Sequence, residues 1–308
     1  MIGIKNIAKY IPESRVSNID LAEKFGFNEQ FLDDKIGVLE VSRMGADEKT
    51  SDLAVKAFNA LKVKCGFTSD EIDCLVVVTQ NPDYSLPHTS AVVHGKLALS
   101  NNCACFDISL GCSGYTYALS VVKTFMESNE LTMGVLITAD PYSGIIDPDD
   151  KNTTLLFGDA STATLLSTNP LFNIMKFTFG TSGKDYPSLI NNNDTLYMNG
   201  RAIFNFVARN VPKDVKNVLR KNEIDIQEVD TFVFHQGSKF VVNTIIKKLG
   251  IDPNKAPFMI RNYGNTVSSS IPILLENLLT NPKAKILLLS GFGVGLSWSS
   301  VILKRNKV

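Results

Sequence analysis

The chain of 308 residues has no surplus of either charge, no long apolar run and no low-complexity tail. Lys plus Arg and Asp plus Glu stand at 31 each, so no global field attracts nucleic acid, and any electrostatic docking must be local. No stretch nears the ~20 apolar residues that a membrane-spanning helix needs. Met1 to Ile7 lacks the apolar core of a secretory signal, and the expectation is a cytoplasmic protein with no membrane partner. The five cysteines are an odd set confined to the first half: Cys65, Cys74, Cys103, Cys105 and Cys112. Cys103 and Cys105 are too close for ordinary disulfide geometry, and no second cluster completes a zinc site. Reduced thiols and no metal are therefore expected, with the first four cysteines as small core residues.

What the sequence does contain is alternation. Leu75 to Val78, Ala104 to Ile108, Met133 to Thr138, Phe232 to Phe234 and Ile286 to Leu289 read as buried strands. Thr50 to Cys65, Cys112 to Ser128, Lys239 to Leu249 and Ser268 to Leu279 read as helices, three of them followed by the stop signals Gly66, Gly250 and Pro282. Strands separated by helices predict an α/β protein with parallel, helix-covered sheets. The chain also echoes itself. Ile72 to Thr79 matches Val229 to Gln236, and the turn around Gly111-Cys112 matches Gly264-Asn265. The echo divides the chain into residues 1–170 and 171–308, and Gly180 to Asn199 reads as a surface excursion.

The echoed loops carry the chemistry. Cys112 follows a strand and a glycine turn and opens a helix, whose positive end favours the thiolate and activates a nucleophile without a metal. His235 ends a strand and Asn265 sits in the second glycine turn, at the strand ends where such sheets bind ligands. Each alone has a bland explanation: an inert buried cysteine, a satisfied core histidine, a helix cap. Placed at equivalent points of duplicated elements, the three together point to a reaction. Gly291, Gly293 and Gly295 allow backbone to come close, and N–H groups there and at Cys112 could form an oxyanion hole.

These residues, with Asp107 to Leu119, Phe157-Gly158-Asp159-Ala160, His235-Gln236, Gly264-Asn265-Thr266 and Gly291 to Trp298, make the chain resemble the beta-ketoacyl-acyl-carrier-protein synthase III family of the thiolase superfamily over essentially its full length. The resemblance implies a thiolase-like five-layered α-β-α-β-α fold built from two duplicated halves. It also implies an acyl-Cys112 intermediate, His235 and Asn265 as hydrogen-bond donors to a malonyl thioester that loses CO₂, and Cys112 and Val294 N–H groups as the oxyanion hole. CoA or phosphopantetheine thioesters are then substrates, no cofactor is bound permanently, and a homodimer and an acyl-carrier protein are the expected partners.

Departures from the family pattern fall on substrate contacts. Phe31, Lys35, Lys151 and Ser238 stand where the family binds CoA or pantetheine, Lys replacing Arg at two of these positions and so losing the bidentate fork. Phe240 replaces an arginine at the docking surface. Leu86 and Tyr142 are the expected acyl-pocket residues, Leu86 reaching the partner subunit's pocket and leaving room beyond an acetyl group. Arg209, Lys213, Lys216 and Arg220 fall on one helix face, a candidate carrier-docking ridge, although Pro212 should break or kink that helix. Two other chemistries use the same residues: transfer of the acyl group to a hydroxyl or amine, and a papain-like Cys-His-Asn hydrolase.

Overall fold

The computed structural model describes residues 1–306. Nine strands form one mixed sheet. They are β1 (Gly3–Tyr10), β2 (Cys74–Val78), β3 (Ala104–Ile108), β4 (Met133–Ala139), β5 (Ser161–Ser167), β6 (Phe172–Thr181), β7 (Thr231–Phe234), β8 (Ile286–Gly293) and β9 (Ser297–Arg305). The main helices are α1 (Thr50–Cys65), α2 (Thr89–Leu97), α3 (Gly114–Ser128), α4 (Gly200–Asn222), α5 (Lys239–Leu249) and α6 (Ser270–Leu279). The strand order is β7-β8-β9-β6-β1-β5-β4-β2-β3.

The duplication is visible in this order. β1-α1-β2-α2-β3-α3-β4-β5 corresponds to β6-α4-β7-α5, an irregular segment at residues 257–260, then α6-β8-β9. The two half-sheets meet where β1 pairs antiparallel with β6, Gly3 opposite Asn173 and Ile4 opposite Phe172. Helices α3 and α6 touch strands of both halves, while α1 and α2 cover one outer face and α4 and α5 the other. This gives the five layers α-β-α-β-α. The central layer is largely apolar: Tyr115, Leu119, Val122, Ile271, Leu274 and Leu275 are buried between the half-sheets.

The parallel strands are those the apolar runs predict, β2 with β3 and β4, and β7 with β8. The rest of the sheet is antiparallel, which the helix–strand alternation did not foretell. β5 and β9 are rich in Ser and Thr and form no apolar run, yet they are buried. Their hydroxyls pair inside the protein, Thr138 with Thr162 at 2.6 Å, Tyr115 with Thr164 at 3.2 Å and Ser300 with Ser290 at 2.9 Å.

Three local expectations need correction. Helix α4 runs unbroken through Pro212, because Phe206, Val207, Val211, Val215, Val218 and Leu219 anchor it along the sheet on both sides of the proline. Helices α3 and α6 begin two residues later than predicted, so Cys112 precedes the helix in a turn. Residues 180–199 are partly regular: Leu189–Asn192 pairs with Thr195–Met198 as a hairpin, and this hairpin reaches the site. Among the described residues no helix is long and apolar enough to cross a membrane.

Candidate active site

Cys112 lies at the bottom of a cleft of about 590 Å³ whose lining includes His235, Asn265, Phe157, Phe292 and Gly293. The duplicated halves meet here, and backbone proximity explains the glycines. A Cβ at Gly293 would lie 2.6 Å from Cys112 Cβ and 2.7 Å from its Sγ, and one at Gly291 would lie 2.8 Å from the Cys112 carbonyl oxygen. Glycine at these positions therefore lets the end of β8 lie against the cysteine. The N–H groups of Val294 and of Cys112 itself are both directed at the sulfur. Buried Ser113 and Ser297 tie the two segments together, Oγ to Oγ at 2.7 Å, and Ser297 Oγ donates to the Val294 carbonyl at 2.9 Å.

Burial, not the helix end, sets the state of Cys112. It pushes the thiol up to about 12, against the pull of the two N–H groups. The expectation of a thiolate in the resting enzyme is thus corrected: the cysteine precedes the helix and is only 4% exposed, and desolvation outweighs the dipole.

His235 follows β7, and its backbone N–H donates to the Ser290 carbonyl of β8 at 2.9 Å. Its Nδ1 is 2.7 Å from Ser270 Oγ, and the ring stands edge-on to Phe292, 5.5 Å between centroids. Nε2 is left toward the cleft beside Gly237, where a Cβ would lie 3.9 Å away. Burial holds the imidazole down to about 3, so it is neutral at ordinary pH.

Asn265 is placed by the Phe157-Gly158-Asp159 segment. Asn265 N–H donates to the Leu156 carbonyl at 2.8 Å, and Gly158 N–H to the Asn265 carbonyl at 3.0 Å. A Cβ at Gly158 would lie 1.8 Å from the Tyr263 carbonyl oxygen, which explains a glycine there. Asn265 Oδ1 accepts from Val267 N–H at 2.9 Å, which fixes the amide and leaves Nδ2 as its donor. Asp159 braces the neighbouring loops, its carboxylate accepting from Met44 N–H at 2.8 Å and from Ser143 Oγ at 2.5 Å. With Nδ1 engaged by Ser270 and Oδ1 by Val267, His235 and Asn265 are not arranged as the Cys-His-Asn relay of a papain-like hydrolase.

A second cleft of about 690 Å³ continues outward from the first through shared Leu156, Gly200, Phe204, Ser238 and Val241. Phe31, Lys35, Lys151 and Ser238 all line it, so the four predicted substrate contacts converge at one mouth. Phe31 stacks on Phe27 at 4.3 Å. Lys151 Nζ lies 5.3 Å from the Phe27 ring and Lys35 Nζ 4.8 Å from the Phe240 ring. Ser238 also caps α5, its Oγ accepting from Val241 N–H at 3.3 Å.

Leu86 and Tyr142 part company. Leu86 is 87% exposed in the single chain, whereas Tyr142 is buried against Phe157, 5.0 Å between ring centroids, in the apolar cluster that contains Cys112. Arg209, Lys213, Lys216 and Arg220 are all exposed on the outer face of α4, and among the described residues none is in an ion pair. At 1.5 Å per residue the ridge runs from ~14 to ~30 Å beyond Gly200 at the mouth.

Several site residues are absent from the sequence reading. Ser270, Ser113 and Ser297 position others, and Leu189, Met198, Ile203 and Val207 wall the cleft. The run Ser268-Ser269-Ser270 directly after the Asn265 turn was the available signal for the first of these. The cleft walls carried none, because the hairpin and α4 reach the cysteine only through long-range folding. Among the described residues no group of three His, Cys, Asp or Glu side chains is placed to hold a metal ion.

Comparison with known proteins agrees with this geometry. Residues 106–183 match the family model for 3-oxoacyl-[acyl-carrier-protein] synthase III, and residues 219–305 match the model for the C-terminal part of that enzyme. The beta-ketoacyl-[acyl-carrier-protein] synthase III of Streptococcus pneumoniae (strain Hungary19A-6) is 31% identical over 97% of this chain and 98% of its own. A crystal structure of a 3-oxoacyl-(acyl-carrier-protein) synthase III superposes with a TM-score of 0.93 at 31% identity, covering 98% of this chain and 99% of that one. The 3-oxoacyl-(acyl-carrier protein) synthase from Burkholderia xenovorans LB400 does so at 0.91 and 33%, covering 99% and 94%. Since cysteine, histidine and asparagine share one cleft in a five-layered fold that these relatives match from end to end, the chain belongs to the 3-oxoacyl-[acyl-carrier-protein] synthase III family.

Proposed function

We propose that the protein condenses an acyl thioester with a malonyl thioester, losing CO₂, through an acyl group carried on Cys112. In the first half-reaction the Cys112 sulfur attacks the donor carbonyl, and the thiol proton leaves with the departing CoA or pantetheine sulfur. The N–H groups of Cys112 and Val294 hold the developing oxyanion. In the second, the malonyl thioester loses CO₂ and its enolate oxygen is held by His235 Nε2–H and Asn265 Nδ2–H. The carbanion attacks the acyl-Cys112 carbonyl, releasing a 3-oxoacyl thioester and returning the sulfur, which regains its proton.

The observation that carries the reading is the orientation of the two donors. His235 Nδ1 lies 2.7 Å from Ser270 Oγ, which leaves Nε2, and in this reading its proton, for the substrate, and Val267 N–H holding Oδ1 leaves Nδ2 as the donor of the Asn265 amide. An imidazole kept neutral down to about 3 is a donor rather than a base, and decarboxylation makes the carbon nucleophile without one. Phe31, Lys35, Lys151 and Ser238 at the mouth suit the nucleotide or pantetheine end of the thioester. The exposed, unpaired cations of α4 suit an acidic carrier protein, with Arg209 nearest the mouth.

His235→Ala and Asn265→Ala should each slow malonyl decarboxylation ~10²–10³-fold while largely sparing acylation of Cys112, the scale of losing one oxyanion donor. Labelled CO₂ release and intact-protein mass after exposure to acyl-CoA separate the two half-reactions. Equal failure of both variants at acylation would overturn the assignment of donors. Turnover without CO₂ release would overturn condensation itself.

A further inference from the structure

A separate groove of about 810 Å³ runs between α4 and β6 and shares no lining residue with the Cys112 cleft or its mouth. Asn210, Asp214, Asn217 and Lys221, three or four residues apart, make one stripe of α4 and form one side of it. Phe177, Thr178 and Phe179 of β6 form the other. Trp298 pairs opposite Gly180, where a Cβ would run into the indole ring. Glycine there lets the ring lie across β6 and line the groove.

Inside the groove Asp214 is only 4% exposed, yet its Oδ2 has no hydrogen-bond partner, and buried Thr178 Oγ1 on the facing strand has none either. Among the described residues no lysine or arginine forms an ion pair with Asp214. Burial pushes its carboxyl up, and the Ser300 and Thr178 hydroxyls and Trp298 indole that oppose this carry no charge. A carboxylate buried without a charged partner costs stability, and a ligand cation relieves that cost. The two lysines of the groove stand elsewhere. Lys221 Nζ donates to the Phe177 carbonyl at 2.7 Å and so ties α4 to β6. Lys213 is exposed at the rim, the one member of the α4 ridge that also lines the groove.

We propose that this groove binds a small zwitterion of the amino-acid type, its ammonium on Asp214, its acid toward Lys213 and its apolar body against Phe179 and Trp298. The lining residues select against simpler ligands. Among the described residues Asp214 is the single acid of the groove, which holds no histidine or cysteine, so a bare metal ion lacks ligands. An anion would meet a buried carboxylate, and a plain cation would leave Lys213 opposed. Phe179, 48% exposed and stacked on Phe177 at 5.7 Å, makes with Trp298 an aromatic wall. Such a wall suits both an apolar side chain and a neighbouring ammonium.

Trp298 is the one tryptophan of the chain, so its fluorescence reports on this groove directly. The probes are phenylalanine, phenethylamine and hydrocinnamate, which carry the same ring with both charged groups, the ammonium alone and the acid alone. Titrated into the full chain, phenylalanine should give a saturable binding heat and a matching change in Trp298 emission. Each single-charge analogue should bind ~10-fold more weakly or worse, the scale of one lost hydrogen bond between charged groups. Asp214→Asn, which keeps the shape and removes the charge, should weaken phenylalanine by ~10-fold or more and spare hydrocinnamate. Lys213→Ala should weaken phenylalanine and spare phenethylamine. If Asp214→Asn does not fold, the three probes on the natural chain still decide. No saturable response to phenylalanine, equal binding of all three probes, or an unchanged affinity in folded Asp214→Asn would overturn the site. Binding heat without a change in Trp298 emission would place the ligand elsewhere and overturn it too. The readout is binding, so each of these outcomes leaves the condensation reading untouched.

Discussion

At the scale of single residues, two buried groups with opposite demands share the cleft. Cys112 must lose a proton to attack, and burial has moved that loss up to about 12. His235 must keep its neutral form to donate, and burial has moved its protonation down to about 3. The same desolvation obstructs one role and protects the other. The pH dependences of the half-reactions should therefore differ. Between about pH 6 and 9 the cysteine lies below its pKa, so the thiolate fraction and the acylation rate should climb ~10-fold per unit without a plateau. The decarboxylation rate should be flat over the same range, because the imidazole already lies far above its pKa. Rapid-quench acylation and CO₂ release, measured separately, check both slopes. A plateau in acylation near pH 7, or a step in decarboxylation near pH 6.5, would contradict the burial argument.

At the scale of elements, the site is an assembly of turns pressed together by glycines. The end of β8 touches the Cys112 turn so closely that Gly293→Ala would push a methyl into the sulfur. Overpacking of this kind costs ~1–3 kcal/mol. The variant should melt several degrees lower and lose most Cys112 acylation, as differential scanning calorimetry and intact mass would report; full acylation would show that the loop can retreat. The legibility of these elements in the sequence follows the same physics. β2, β4, β7 and β8 are buried on both faces and announce themselves as apolar runs. β5 is fully buried and β9 largely so, but Thr162 and Ser300 bond to hydroxyls of neighbouring strands, Thr138 and Ser290, a pairing invisible without the partner strand. Cys112, His235 and Asn265 were legible because duplication placed them at matching turns. Leu189 and Met198 were not, because the hairpin carrying them reads as a polar excursion until the fold turns its apolar side chains into the cleft.

At the scale of the whole molecule, the sheet ends on an open edge. Among the described residues β3 pairs only with β2, and all five of its residues, Ala104 to Ile108, remain half-buried instead of covered. Tyr84 and Leu86 project from the loop after β2, 47% and 87% exposed. An unpaired strand of largely apolar composition is a template for another strand, and a two-fold pairing of β3 with its copy would continue the sheet through both subunits. Sedimentation equilibrium should accordingly find a dimer at micromolar concentration, and a monomer there would remove this arrangement. Such a dimer would also give Leu86 a purpose, since in one chain it lies on the surface. If it does reach the partner subunit's acyl pocket, Leu86→Phe should shift donor preference in the dimer by the few-fold to ~100-fold that apolar pocket changes produce. The shift should vanish on dilution below the dimer dissociation constant. Tyr142 is buried within its own chain, so a change in donor preference on Tyr142→Ala should survive that dilution in whatever activity remains. Acylation profiles at two protein concentrations, one on each side of dissociation, distinguish a wall supplied by the partner from one supplied by the chain itself.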